Sequence, residues 1–513
     1  MSARRYPDVV QSFEWSSLWR RVDGDRQRLN LAHECVDRWP GRGTALRLQF
    51  ADGRREEWSF EDLAAWSSRF ARFLEREGVE PGARVGLLLE PSLPFYGALF
   101  GTLKRGAVAV PLFTLFGPDA LAPRLDDSGA RLLLVGADAD PGRFARPGLR
   151  VLRLDADVEA TLAREAATYA PATAPDDLAV LQYTSGTTRA LPEAVRHTHR
   201  AVVTLMIAAL YGLGLTEDDR YFCPSSPAWG HGLWHGTISP LALGLAAGAY
   251  SGRFDALRLR EALGAFRITN FAAAPTVYRL LRESGLASRA GLSLTKCTYT
   301  GEPMDEATWD WIERALGITP CGIYGSTEVG VIIVNYPGFE GYQVRRGALG
   351  RPAPGWEVAI VDAQTRRPLP AGQPGEIAVR RKGVWFLVKD RGVMDADGYI
   401  HHGGRSDDII IRAGWTRRAL EIERALLAHP DVREAAVVGV ADERRGQVPQ
   451  AWIVARRADA ALAAELQAHV RARLGAHEFP RVVQFVDALP RTPAGKIDRH
   501  ALRARGRSGQ EAG

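Results

Sequence analysis

A chain of 513 residues is too long for a single hydrophobic core, so two or more domains are expected. With 46% hydrophobic and 25% charged residues, its composition is that of an ordinary globular protein and argues against a disordered or fibrous chain. The formal net charge is only +6, and its dispersed arginines form no basic block interleaved with aromatics, which argues against a nucleic-acid partner.

Residues 60 to 150 alternate helical and strand-like segments. Phe60 to Glu77 has helical spacing through Leu63, Phe70 and Leu74, and Arg84 to Leu89 reads as a strand. A helix follows from Pro94 to Arg105, then strands over Ala107 to Pro111 and Ala130 to Val135. This spacing predicts a parallel sheet with crossover helices. Leu178 to Leu181 form another apolar strand, which leads into Tyr183-Thr184-Ser185-Gly186-Thr187-Thr188, in a region readable as strand, then loop, then helix. Such a loop turns N–H and O–H groups onto a phosphate, although the spacing of the common P-loop is absent.

The alternation resumes with helices over Ala201 to Tyr211, Leu257 to Phe266, Thr276 to Glu283 and Asp305 to Leu316. Strands are expected at Tyr221 to Cys223, Asn270 to Ala273, Ser293 to Thr300 and Gly317 to Tyr324. From about Gly347 the texture turns β-rich, with strands over Glu357 to Asp362 and Glu376 to Arg380. A compact α+β unit begins near Gly404.

The cysteines Cys35, Cys223, Cys297 and Cys321 lie far apart with no CxxC pair. That spacing argues against a disulfide framework or zinc site and for a reducing compartment. No apolar leader follows Met1 to Pro7, and the longest apolar stretch, Leu241 to Tyr250, is short for a bilayer. A cytoplasmic protein with no membrane partner is expected.

Four segments carry the chemistry. They are Tyr183 to Thr188; Gly301-Glu302-Pro303 after a strand; Tyr324-Gly325-Ser326-Thr327-Glu328; and the run Pro490 to Arg499, which contains Ala494-Gly495-Lys496. Asp390 and Gly403-Gly404-Arg405-Ser406-Asp407-Asp408 lie between the last two. In this order the set resembles the adenylate-forming (AMP-binding) superfamily, nearest its acetyl- and medium-chain acyl-CoA synthetase branch. Asn30-Leu31-Ala32, Cys35 to Arg38, Leu115 to Pro118 and Ala435 to Asp442 add local matches.

The resemblance implies an α/β fold. A large N-terminal domain, residues 1–404, would have mixed and parallel sheets with flanking helices plus a β-rich subdomain. A small mobile α+β C-terminal domain, residues 405–513, would carry the catalytic lysine. The implied function is ATP-dependent activation of a carboxylic acid as acyl-AMP with pyrophosphate release, then transfer to a thiol of CoA or phosphopantetheine. Two alternatives stay open. One is an adenylating enzyme of a specialised pathway that passes the group to an amine or a carrier protein. The other is a non-catalytic nucleotide- or acyl-binding member. The implied partners are a small carboxylic acid, ATP, Mg²⁺ and CoA, with a monomer or homodimer as the assembly.

Roles carry over residue by residue from the resemblance. Thr184, Ser185, Gly186, Thr187 and Thr188 would cradle the β- and γ-phosphates. Glu328 would hold Mg²⁺, a hard cation that prefers carboxylate oxygen. Tyr324 would stack on adenine, Gly325 and Ser326 would belong to the same nucleotide site, and Thr327 would touch the α-phosphate. Gly301, Glu302 and Pro303 would wall the adenine pocket by close backbone approach. Asp390 would accept from the ribose hydroxyls and Arg405 would pair with ribose or phosphate. Asp407 would be the hinge and Lys496 the catalytic ammonium of adenylation. The acyl pocket would include Trp229, His231, Gly232 and His235. The two histidines either read a polar or aromatic acid or serve as buried structural hydrogen-bonders.

Three segments depart from the family pattern. The phosphate loop continues Arg189-Ala190-Leu191-Pro192-Glu193, with Glu193 where a lysine is usual and Arg189 available as a substitute cation. The stretch from Gly375 to Asp390 is about fifteen residues short for this family, outside ordinary loop-length variation. It ends in Val388-Lys389-Asp390 where Thr-Gly-Asp is usual. Thr416 stands where an arginine often lies, and Arg417 is beside it.

Overall fold

A computed structural model describes residues 4–183, 194–285, 288–326, 328–405, 409–412, 415–442, 446–474, 479–492 and 497–508. The chain divides into two compact units, one running through Trp356 and the other starting at Glu357.

The first unit is built on three sheets. One has the strand order Arg150–Leu154, Leu132–Gly136, Arg84–Leu88, Val108–Pro111, Leu178–Tyr183 and Ala194–Thr198. Its neighbours are parallel except the last pair, which is antiparallel. The second carries parallel strands Tyr221–Phe222, Asn270–Ala273, Lys296–Tyr299 and Cys321–Ser326, continued antiparallel by Gly330–Val334 and Ala348–Pro352. A third sheet joins Ala247–Ser251, Thr44–Phe50 and Arg55–Ser59.

Crossover helices follow from local sequence. Helix Phe60–Arg76 starts at a capping box, with Ser59 Oγ accepting from Asp62 N and the Asp62 carboxylate accepting from Ser59 N. It buries Leu63, Phe70 and Leu74 against helix Leu93–Lys104. The Asn30 match is structural. Its buried side chain donates to Leu103 O at 2.8 Å and accepts from Ala32 N at 2.9 Å. Asp37 likewise accepts from buried Lys104 Nζ at 2.6 Å.

One expectation is corrected. The region around Tyr183 does not pass from strand through loop straight to helix: Leu178–Tyr183 is followed by a second strand, Ala194–Thr198, which returns antiparallel and pairs Tyr183 with Ala194 ahead of helix Ala201–Ile207. Its sequence, Ala-Val-Arg-His-Thr, is a half-buried edge strand, so the apolar run that marks a central strand is absent.

In the second unit, Val358–Val361, Gly375–Arg381, Val384–Met394 and Ile400–Arg405 form an antiparallel meander. The shortened family segment is closed here by the two-residue turn Lys382-Gly383. Its φ values of +49° and +81° fit a type I′ hairpin, a conformation that favours glycine. A five-stranded sheet then combines Trp415–Arg418, Ile409–Arg412, Gly446–Ala455, Val432–Asp442 and Val482–Phe485. Helices Ala419–Leu427 and Ala460–Leu474 pack on it, and Arg499–Ser508 contacts its Val432–Asp442 strand.

All four cysteines are free and buried. Among the described residues no helix is long and apolar enough to cross a membrane, and no His/Cys/Asp/Glu cluster suits a metal ion.

Candidate active site

The site residues of the first unit gather where parallel strands end. Lys296–Tyr299 and Cys321–Ser326 are neighbours, so Gly301-Glu302-Pro303 and Tyr324 to Glu328 leave the same edge of the sheet. Thr300 Oγ1 donates to Ile323 O at 2.8 Å and ties the two ends together. Glu302 Oε1 accepts from Thr276 N at 2.7 Å and from Thr276 Oγ1. That bond fixes the start of helix Pro275–Glu283 beyond the adjacent parallel strand Asn270–Ala273. The Glu302 side chain is therefore a brace, while Gly301 beside it takes φ +96°. Ligands of open α/β sheets bind outside such carboxyl ends. Tyr324 is half-buried there, Gly325 and Ser326 pair with Val331 and Gly330 across a tight hairpin, and Glu328 is exposed in its turn.

The first sheet contributes a second group. Tyr183 Oη stands 2.7 Å from both Asp127 Oδ2 and Arg124 O, which share its single O–H proton. Burial and the Asp127 carboxylate hold its phenol well above the usual tyrosine range. Strand neighbour Gln182 is buried, and its Oε1 accepts from Trp234 Nε1 at 2.8 Å. His197 lies on the paired strand with its ring 4.6 Å from Trp234. Burial pushes His197 down to about 4, against the upward pull of nearby Glu328.

Trp234 belongs to the π-helix His231–Ile238, whose wide turn stacks residues four apart. His231 Nδ1 and His235 Nδ1 stand 3.0 Å apart, so one ring donates and the other accepts. Burial pushes His235 down to about 4, which favours its neutral ring. The Trp229 ring meets His231 edge-on at 5.4 Å. Gly232 is required by close approach, since a Cβ there would lie 2.1 Å from Ser226 O. The pocket residues read from sequence are thus one cluster. Gln182, Trp234 and His197 belong to it as well and carry no motif by which to find them.

In the second unit Asp390 pairs in register with Arg405, and His402 Nε2 lies 3.8 Å from its Oδ1. Lys389 holds φ +66°, a left-handed conformation that favours glycine, at the position where the family usually has glycine. Arg491 bridges to Ile497 across the lysine loop. Arg499 Nη1 and Nη2 grip Glu423 at 2.6 and 2.9 Å and anchor the helix that follows it. Thr184, Ser185, Gly186, Thr187, Thr188, Arg189, Thr327, Asp407 and Lys496 lie outside the described residues.

Paired strand ends, an exposed carboxylate and a half-buried aromatic beside them lie where open α/β sheets receive their ligands. The AMP-binding enzyme family model matches residues 33–385, and the AMP-binding enzyme C-terminal domain model matches residues 421–496. The chain is 29% identical to the acetyl-coenzyme A synthetase of Bacillus subtilis (strain 168), over 98% of this chain and 95% of that one. It is 30% identical to the mitochondrial acyl-coenzyme A synthetase ACSM3 of Mus musculus, over 92% and 90%. The crystal structure of the anthranilate CoA ligase AuaEII in complex with anthranoyl-AMP superposes with a TM-score of 0.83 at 27% identity, covering 96% of this chain and 99% of that one.

The chain belongs to the AMP-binding enzyme family, in its acyl-CoA synthetase group. It is an AMP-forming ligase that activates a carboxylic acid as acyl-AMP and transfers the acyl group to CoA.

Proposed function

We propose that Lys496 stabilises the adenylation transition state, in which the acid's carboxylate attacks the α-phosphorus of ATP and pyrophosphate leaves. Such a reaction needs positioning and charge neutralisation more than covalent help. Tyr324 and the Gly301–Pro303 backbone hold the adenine, Asp390 and Arg405 the ribose, and Thr184 to Thr188 the polyphosphate, with Thr327 at the α-phosphate. The observation that carries this reading is the Thr300–Ile323 bond, because it sets the two adenine-side segments next to each other. Glu328 fits Mg²⁺, since its carboxylate is exposed and offers hard oxygen ligands. When bound, the cation would neutralise charge on the departing pyrophosphate.

The acid enters against Trp229, His231, Gly232 and His235. Residues 1–404 and 405–513 act as the two domains, jointed at Asp407, so that one lysine-bearing domain serves adenylation and then gives way for the thiol. A cytoplasmic enzyme of a specialised pathway fits the departures at Glu193 and Thr416. The test is pyrophosphate release across a panel of acids, with and without CoA. Acid-dependent release without CoA, with thioester forming only when CoA is added, is the expected result. Release that needs no acid would refute the reading.

A further inference from the structure

Gln182 is 1% exposed and stands at the end of an apolar strand, where a polar side chain must be satisfied. Indole N–H is a donor only, so the 2.8 Å contact with Trp234 Nε1 fixes Gln182 Oε1 as acceptor and sets the orientation of the amide. The Nε2 atom is then the second polar end, buried and without a hydrogen-bond partner among the described residues. His197 stands on the same side of the sheet. Gln182 pairs with Val195 and Val180 with His197, and alternate residues share a face. His197 Nε2 is also buried without a partner among the described residues, and its ring lies against the same indole.

Two buried polar atoms beside one tryptophan are costly unless a ligand or ordered water completes them. The same tryptophan lies in the π-helix that carries His231 and His235, and Gly230 at its start lies against the Oε1 end of Gln182, 3.5 Å from where a Cβ would stand. The donor is an uncharged amide, which suits a neutral acceptor better than a polyphosphate.

We propose that Gln182, with His197, is a specificity-determining pair that hydrogen-bonds a hydroxyl group on the acid's tail, so that the preferred substrate is a hydroxylated carboxylic acid. The hydroxyl oxygen accepts from Gln182 Nε2–H, and its O–H donates to His197 Nε2. A site built to bond a hydroxyl strongly rejects the analogue without one, because its own polar groups are then left bare. This rests on the acyl-site reading above and adds the substrate class.

The experiment compares matched pairs, benzoate with its three hydroxybenzoates and butyrate with 3- and 4-hydroxybutyrate. Both tryptophan-fluorescence titration and pyrophosphate release are read on the full chain. At least one hydroxylated acid should bind and turn over ~10-fold or more better than its parent. Gln182→Glu keeps the acceptor for Trp234 and removes the donor, and His197→Phe keeps a ring on the indole. Each should bring that ratio toward one while the KM for ATP stays within about twofold. A parent acid preferred in both series, a ratio unmoved by both variants, or a change confined to the KM for ATP would overturn the proposal. Preference in binding without pyrophosphate release supports the pocket and sinks the adenylation reading. Release without preference sinks the pocket alone.

Discussion

Tyr183 Oη and Asp127 Oδ2 meet at 2.7 Å, and the same carboxylate oxygen accepts from Ala194 N at 3.3 Å. One side chain thus clasps both ends of the segment 184–193, which carries the threonines proposed to bind phosphate. Asp127→Ala should free both partners and loosen the loop's base. The expected result is a severalfold rise in the KM for ATP and a stability loss of ~1–3 kcal/mol, read by kinetics and urea unfolding. Unchanged KM would separate the clasp from nucleotide binding.

The charge of that loop can be tested from its sequence. Glu193 occupies the usual lysine position, and a like charge near a polyphosphate costs ~1 kcal/mol or more in a partly wet cleft. Arg189→Ala should raise the KM for ATP, whereas Glu193→Lys should lower it or leave it unchanged. If Glu193→Lys abolishes turnover in a folded protein, the carboxylate has a positive role.

His199 supplies a pH-dependent stability term. It is fully buried, its Nδ1 accepts from Leu31 N at 3.0 Å, and burial pushes it down to about 4. The unfolded ring takes its proton near pH 6.5, so between 6.5 and 4 the unfolded state binds more protons. Stability is therefore complete above pH 6.5 and falls as the pH drops through that window, by as much as ~3 kcal/mol from this residue. His199→Asn keeps an acceptor for Leu31 and should flatten the slope of the denaturation midpoint against pH.

Lys389 tests how the altered Val-Lys-Asp segment keeps its shape. A non-glycine residue at φ +66° is strained. Lys389→Gly should leave stability unchanged or raise it by up to ~1 kcal/mol, and Lys389→Val should lower it by ~1–2 kcal/mol, as thermal unfolding would report.

Periodicity made the parallel sheets readable, and the strand expected at Asn270 to Ala273 is found over those residues. Apolar runs mark such central strands because both faces are buried. The strand Ala194–Thr198 escaped because an edge strand needs only one apolar face, and the π-helix because nothing in His231 to Ile238 departs from α-helical spacing. The segments proposed to face adenine stood out in the sequence only through the order of motifs that resembles the family, since no single one of them is distinctive by itself. Gln182 did not, because a single amide becomes significant only once Trp234 is seen to occupy one of its two ends.

The central claim is acid activation at Lys496, and acid-dependent exchange of pyrophosphate into ATP in the absence of CoA measures it most directly. The account predicts robust exchange in the native chain and a loss of ~10²-fold or more in Lys496→Ala, with ATP binding little changed, because the ammonium acts on charge that develops only in the transition state. Exchange surviving within a few-fold in Lys496→Ala would contradict it.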